Sequence, residues 1–503
     1  MQSKLIVAPK KFYITTPIYY ISDKMHLGHS YTTIAADIFA RYYRMIGSDV
    51  FYLTGTDEHG LKIQQSAESK GLTPKQLVDG LANDTKQLWK LLDISYDEFI
   101  RTTDKKHEEL IKIIVQKMFD KGDIYLGEYE GWYCKGCESY FTEKEIENGK
   151  CPIGHEVFKE KEKAYFFKLS KYQEWLLQYI EEHPEFLQPQ TRKNEMLSFI
   201  KNGLDDLCIS REAVSWGVKL PFDDKYTVYV WVDALFNYLS GLDYFENKEK
   251  YSKYWPPDLQ LMGKEIFRFH TIYWPIFLKS VDLEIPKIEF AHGWWTVEGQ
   301  KMSKSFGNVI YPDVFIEEYD LDTYRYYLFR EVSFGEDGSF SIKTVKERIN
   351  NELVATLGNL FSRVLTLAQK REKTFTYFTD ELSEKVEEKI AEIHKGYTQI
   401  NLSKVISEIF EICFLANKYV QDNKPWELIN TDPEKFDQVI YVLLETLRIV
   451  AVELSPIMTK KYKIMFDQLG LDLDDKNNYL LEFSNIMENK KVKKGEYLFV
   501  KKE

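Results

Sequence analysis

The first fifty-odd residues limit the possible folds more than any other part of the chain. Lys11–Tyr20 is an apolar run rich in β-branched residues and reads as a buried strand. Ser22 and Asp23 then supply turn and cap chemistry. Over residues 29–46 Ile34, Ile38 and Tyr42 recur at every fourth position, which predicts a helix, and Gly47 closes it. Residues 49–54 form a second strand candidate. Strand, helix and strand in direct succession are the opening of a doubly wound parallel sheet.

The chain has 503 residues, enough for two to four domains with large cores. The opening rhythm breaks over residues 118–225, where cysteines and Gly/Pro punctuation collect, as in a domain inserted into the sheet. Strand character returns at 226–232, 259–262 and 288–291. Beyond about residue 346 the patterns at 352–370, 382–422 and 436–461 are long, amphipathic and poor in glycine, which predicts a helical bundle.

No apolar run is long enough for a membrane span, and the short Leu5-Ile6-Val7-Ala8 core is too small for a secretory signal, so a cytoplasmic protein is expected. Net charge is −12. An acidic total does not exclude RNA binding, because local patches decide it. One basic patch crowds the C-terminus (Lys490, Lys491, Lys493, Lys494, Lys501, Lys502), and its plainest reading is a solvated tail. Five cysteines, an odd count, argue against a disulfide framework.

Two motifs carry chemistry. His26-Leu27-Gly28-His29 places two imidazoles three residues apart in the first turn of the expected helix, so they face the same way. A helix N-terminus already favours anions, and imidazoles there can donate to phosphate oxygens. Gly28 leaves room for a flat adenine ring against the backbone. Far along the chain, Lys301-Met302-Ser303-Lys304-Ser305 sits between Gly299 and Gly307, a cationic loop suited to closing over a pyrophosphate leaving group. No Walker loop is present, so a triphosphate would be held by imidazoles and this lysine loop. Taken singly, the histidines could be unrelated helix caps and the loop a solvated surface turn. Together they point to one ATP site.

The cysteines at 134, 137 and 151, with His155, have the spacing of a structural zinc knuckle. Three thiolates and an imidazole complete a tetrahedron that would stabilise the insert rather than do chemistry. Free thiols without metal are the alternative.

HxGH followed by KMSKS on an interrupted parallel sheet resembles the class I aminoacyl-tRNA synthetases. Thr54–Gly60 (TGTDEHG), 229–234 (YVWVDA), Gly263-Lys264-Glu265-Ile266 and Phe269-His270 narrow the resemblance to the methionyl-tRNA synthetase family. It runs in order from about Phe12 to Trp426. It implies a Rossmann-like catalytic domain in two halves (1–117 and 226–310), an inserted connective domain with a zinc knuckle (118–225), a stem-contact region (311–355) and an α-helical anticodon-binding domain (356–503). Methionine and ATP with Mg2+ would give methionyl-adenylate and pyrophosphate, and the methionyl group would pass to the terminal ribose of tRNA(Met). Alignment and charge stabilisation would supply most of the rate.

The resemblance also implies roles. His26 and His29 hold the triphosphate with Gly28, and Lys304 stabilises the leaving pyrophosphate with Lys301 and Ser303 assisting. Ile18, Tyr20, Trp231, Ala234, Leu235, Tyr238, Ile266, Phe269 and His270 form the methionine pocket, where aromatic rings suit a thioether, and Asp57 takes the ammonium group. Leu235 stands where the family usually has proline, and Asn237 where many relatives have glycine. Arg211 and Glu265 resemble an ion pair that ties the insert to the site. Cys134, Cys137, Cys151 and His155 match the zinc set, although three residues rather than the commoner two separate the last pair. Asn359 and Arg363, on one helix face, match the anticodon readers together with Trp426, which without the resemblance would read as a core residue. A missing methyl is worth only ~1–3 kcal/mol in an apolar pocket, so homocysteine would leak through. The family implies that its thiol then attacks the activated carboxyl, and the insert is too short for an editing domain. A monomer is expected.

Other readings make different demands. Valine, isoleucine and leucine synthetases carry much larger inserts, and a cysteine enzyme would place a zinc-binding cysteine where Thr15 and Thr16 stand. An HxGH nucleotidylyltransferase would lack the helical region and the insert. A non-catalytic RNA-binding relative would be expected to lose His26, His29 or Lys304.

Overall fold

The computed structural model describes residues 6–21, 24–134, 139–141, 146–151, 154–212, 214–303, 306–371 and 374–503, with the backbone alone at 129–131, 133–134, 139–141 and 160–162. Its centre is a six-stranded sheet of β1 (Lys11–Tyr20), β2 (Asp49–Asp57), β3 (Glu98–Arg101), β4 (Leu187–Gln188), β5 (Leu259–Gly263) and β6 (Glu289–His292). The spatial order is β3-β2-β1-β5-β6-β4, and every pairing is parallel. The chain runs outward from β1 through β2 to β3 and later resumes on the other side with β5. The order therefore reverses between β1 and β5, which opens a crevice at the C-terminal strand ends.

Both faces of the sheet are covered, so the central strands are buried almost continuously. One core packs α1 (Leu27–Met45) on the sheet and runs on without a break into the C-terminal helices. The opposite core is built by α2 (Lys105–Asp120), α3 (Val230–Leu235), α4 (Asn237–Ser240) and helices Gln173–Glu182, Gln190–Lys201 and Trp274–Ser280.

Three local features aim groups into the crevice. The β1–β2 register shifts between Thr15 and Ile18, after which Tyr20 lies opposite Asp57. Gly55 is required there, because a Cβ would stand 2.0 Å from the Ile100 carbonyl oxygen. Helix α1 begins at Leu27, two residues ahead of the expected start, and Gly47 ends it with φ +102°.

The structure corrects two expectations about secondary structure. Residues 226–232 are not a strand of the parallel sheet. Asp223–Val228 pairs antiparallel with Lys219–Leu220 and Ser210–Arg211, and α3 follows at once. The apolar run is divided between a short strand and a short helix, whose buried Val232 and Leu235 fill the second core. The pattern at 382–422 is two helices, Glu381–Thr398 and Leu402–Asn423, broken where Ile400 takes φ +55° and Asn401 caps the second. The helices pack against each other, and Pro425–Thr431, Pro433–Leu454 and Lys461–Leu469 complete the bundle.

Within 118–225, Ile124–Cys134, Ser139–Phe141, Phe158–Phe167 and Leu207–Cys208 form a separate antiparallel sheet, whereas β4 joins the edge of the main sheet. The lysine-rich end is not simply a solvated tail. Leu498 and Phe499 are buried, Lys493 pairs with Asp467, and the Lys502 backbone exchanges hydrogen bonds with Asn350. Among the described residues no helix is long and apolar enough to cross a membrane.

Candidate active site

The crevice contains a cavity of about 1790 Å³ that reaches from the C-terminal ends of β1 and β2 to the hairpin after β6. His26, Gly28 and His29 line it, and so do Lys301, Met302 and Ser303. The early imidazoles and the distant cationic segment thus share one space. A backbone hydrogen bond from Leu27 N–H to the Ile310 carbonyl (2.9 Å) fixes this proximity, and Lys24 reaches Asp313 at 2.7 Å.

His26 is the N-cap of α1, and its Nδ1 accepts from the Gly28 N–H at 3.1 Å. The His29 Nδ1 accepts from the His26 N–H at 3.1 Å. The ring centroids are 4.1 Å apart. Burial pushes both imidazoles down, His29 to about 3 with His26 adding to the effect, so both are neutral near pH 7. A neutral ring whose Nδ1 accepts carries its proton on Nε2. Each histidine therefore keeps one Nε2–H donor.

Trp295–Val297 and Gln300–Lys301 form the hairpin that carries the lysine loop, turning at Glu298 (φ +49°) and Gly299 (φ +80°). Asn308 steadies the start of that loop: its Oδ1 accepts from the Ser303 N–H at 2.8 Å and its Nδ2 donates to the Lys301 carbonyl at 3.2 Å. Lys264 and Lys301 both lie over the Trp294 ring, at 4.3 and 5.5 Å from its centroid. Lys304 and Ser305 lie outside the described residues.

At the other end, Ile18, Tyr20, Asp57, Trp231, Ala234, Leu235, Tyr238, Ile266 and His270 all line the cavity. Phe269 does not; it stacks on Trp231 from behind, centroids 3.7 Å apart. The His270 Nδ1–H donates to the Ile266 carbonyl (3.1 Å), which leaves Nε2 to accept from the Tyr238 hydroxyl (2.7 Å). Burial holds His270 down at about 4, so the ring is neutral. Asp57 is buried, its Oδ1 has no hydrogen-bond partner, and burial together with the Asp233 charge pushes its carboxyl well up. Asp57 lines the cavity, and a buried carboxylate oxygen without a partner is a costly arrangement that a nearby cation relieves.

The expected ion pair between Arg211 and Glu265 is not formed. The Arg211 guanidinium lies over Tyr229, 4.5 Å from its centroid, and donates to the Ser210 carbonyl. Glu265 accepts from the Trp294 indole N–H at 2.7 Å. Each group meets a nearer partner first.

Sequence reading assigned no role to several residues in or behind the cavity wall. His59 and Asp233 sit inside the TGTDEHG and YVWVDA motifs, yet their contact is visible only in three dimensions. His292 gave no signal beyond following a strand; its Nε2 meets the Thr32 hydroxyl at 2.6 Å.

Elsewhere, Asn359 is exposed at the start of helix Asn359–Ala368, and Arg363 one turn later donates to Asn417 at 2.8 Å. Trp426 is 40% exposed, which removes the core reading. Cys137 and the Cys134 side chain lie outside the described residues. Cys151 is buried beside Val157, and its N–H donates to the His155 carbonyl at 2.9 Å, while the His155 side chain is exposed. Among the described residues no group of three His, Cys, Asp or Glu side chains could hold a metal.

Comparison with known proteins agrees along the whole chain. The family model for tRNA synthetases class I (M) matches residues 12–159 and 153–365, and that for the anticodon binding domain of methionyl tRNA ligase matches 372–503. The methionine–tRNA ligase of Caldanaerobacter subterraneus subsp. tengcongensis is 48% identical over 97% of this chain and 78% of its own length. That of Bacillus subtilis is 48% identical over 97% and 77%. Mycobacterium tuberculosis methionyl-tRNA synthetase in complex with methionyl-adenylate superimposes with a TM-score of 0.91 at 37% identity, over 98% of this chain and 100% of that one. The apo form gives 0.86 at 33%, over 98% of each. At this identity, and with a fold that matches throughout, the chain belongs to the methionine–tRNA ligase family, the ATP-dependent class I synthetases that attach methionine to tRNA.

Proposed function

We propose that this one cavity forms methionyl-adenylate from methionine and ATP and then passes the methionyl group to tRNA(Met). The observation that carries the reading is the shared wall: a neutral histidine pair, the lysine hairpin and the buried Asp57, one of whose carboxylate oxygens has no partner, line one space. The Asp57 carboxylate receives the ammonium group. The thioether runs among Ile18, Tyr20, Ala234, Leu235, Tyr238, Ile266 and His270, with Trp231 as one wall and Phe269 fixing that wall. The His26 and His29 Nε2–H groups donate to triphosphate oxygens, and Gly28 lets adenine approach the backbone. Lys301, Ser303 and Lys304 meet the pyrophosphate as charge moves onto it.

Mg2+ would arrive on the triphosphate, coordinated largely by phosphate and water oxygens. The donor chemistry of Cys134, Cys137, Cys151 and His155 suits a structural zinc ion, and the burial of Cys151 fits a ligand turned inward. Its role there is to hold the insert together.

Pyrophosphate exchange over a panel of amino acids tests the function. Methionine supports exchange, homocysteine supports it weakly, and valine, isoleucine, leucine and cysteine do not. Exchange driven best by another amino acid, or by none, refutes the reading.

The half-exposed Trp426 stands on the helical bundle that also carries Arg363, in the proposed anticodon face, where an aromatic ring can stack on an unpaired base. Trp426→Ala is expected to weaken charging of tRNA(Met) by roughly 10-fold or more, the effect of losing ~1–3 kcal/mol of stacking, while adenylate formation is retained. Equal loss in both assays would instead mark a folding defect.

A further inference from the structure

Behind Asp57 lies a set of buried groups that the mechanism above leaves unused. The His59 Nδ1 meets Asp233 Oδ2 at 2.6 Å. The other Asp233 oxygen meets the His107 Nε2 at 2.9 Å, and the His107 Nδ1 meets the Ser240 hydroxyl at 2.7 Å. All four residues are buried. They come from the loop after β2, from α3, from α2 and from α4, so the fold brings four separate segments together here. Burying a carboxylate against two imidazoles is not something core packing requires, since apolar side chains would fill the same space at no electrostatic cost.

The charges show what the set does. His59 faces two carboxylates, Asp57 and Asp233, while Glu108 stands 3.8 Å from its Nε2 and the Trp216 ring meets it edge to face, centroids 5.7 Å apart. Burial opposes a charge on His59, but the carboxylates outweigh it and raise its affinity for a proton. Burial most of all, then Asp233 and Glu58, disfavour the ionised form of Asp57, whereas His59 favours it; the Tyr20 hydroxyl completes its surroundings. Glu58 is turned away and held by Arg101 and Thr103. When Asp57 ionises beside a protonated His59, it and Asp233 leave this trio one positive charge short, which the ammonium group of an amino acid supplies.

We propose that His59, oriented by Asp233 and braced through it by His107 and Ser240, is the positioning cation that offsets part of the burial penalty on Asp57 and so lets its carboxyl ionise when the substrate ammonium arrives. This rests on reading Asp57 as the ammonium anchor. An opposite charge at close range stabilises a carboxylate by roughly 1–3 pH units.

The test is His59→Asn, which leaves an amide N–H near the Nδ1 position to serve Asp233 but carries no charge. In pyrophosphate exchange the acidic limb of kcat/KM for methionine moves to higher pH, by roughly one unit or more. The loss is therefore greatest at low pH. The KM for ATP stays within about twofold of the parent value, and inhibition by 4-(methylthio)butanoate, methionine without its amino group, is unchanged, as expected for a loss confined to the ammonium contact. A loss equal at every pH, or an equal loss for the desamino compound, overturns the proposal in favour of a structural role. If the variant does not fold, His107→Gln decides: its limb moves the same way by less, and an unmoved limb overturns the proposal. A parent enzyme that binds the desamino compound as tightly as methionine removes Asp57 as the anchor, and the proposal then falls together with that reading.

Discussion

Lys304→Ala is expected to slow methionine-dependent pyrophosphate exchange by roughly 10²–10³, the scale for losing one preorganised transition-state donor, with methionine affinity nearly unchanged. The split between rate and affinity follows from the layout of the cavity. Asp57 closes β2 opposite Tyr20, with the aromatic wall lining the same cavity, whereas the hairpin carrying Lys301 packs where α1 begins. Lys301 rests over Trp294, and Asn308 grips the backbone on either side of Met302. These anchors hold the base of the loop, so removing the Lys304 ammonium need not disturb them. Negative charge builds on the β- and γ-phosphates only as the bond to the α-phosphate breaks, so the lost interaction belongs to the transition state. Normal exchange in this variant would refute the assignment, and a rise in the KM for methionine matching the fall in rate would show that the loop shapes the amino-acid site as well.

How much of the fold and the site is legible in the chain depends on the range over which each signal acts. The β1–α1–β2 opening is readable because local periodicity and final burial agree, and the histidine pair is readable because a helix cap is a local device. Residues 226–232 mislead because the run straddles the end of a short strand and the start of a short helix, and a short apolar run does not tell the two apart. The break at Ile400 is hidden for a similar reason: the apolar pattern continues across two antiparallel helices that bury the same face. His59, Asp233 and His107 form one cluster from distant segments, and nothing in the spacing of the three announces it. The Arg211–Glu265 pairing fails in the opposite way, since charge complementarity on paper yields to whichever partner is nearer in space.

Arg325→Met is expected to lower the stability of the whole chain by about 3–5 kcal/mol, the usual cost of removing one partner from a buried ion pair. The Arg325 side chain is completely buried, and its Nη2 meets Asp37 Oδ2 on α1 at 2.6 Å. The same guanidinium donates to the carbonyls of Ile457 (2.8 Å), Pro456 (2.9 Å) and Leu92 (3.2 Å). One planar fork thus joins the helix that carries the histidine pair, the turn after helix Pro74–Leu91 and the turn after helix Pro433–Leu454 in the bundle. Asp37 also accepts from Arg41 and from the Ser95 N–H and hydroxyl. Burial alone would push its carboxyl up, but Arg41, Arg325 and Ser95 more than offset this and hold it below the usual range. A depressed folded-state value means that this part of the stability is present above the ordinary aspartate range and is lost as pH falls through it. In Arg325→Met, three carbonyls lose their buried donor and Asp37 keeps only part of its compensation. Urea unfolding measures the loss, and Arg325→Lys should recover little, because an ammonium cannot reach four acceptors along the guanidinium plane. Pairing the change with Asp37→Asn supplies the decisive comparison. If the fork acts through that carboxylate, the double variant is less destabilised than the two single losses added together. Strict additivity would show that the carbonyls alone hold the junction between α1 and the bundle, and a single-variant loss below about 1 kcal/mol would show that neither does.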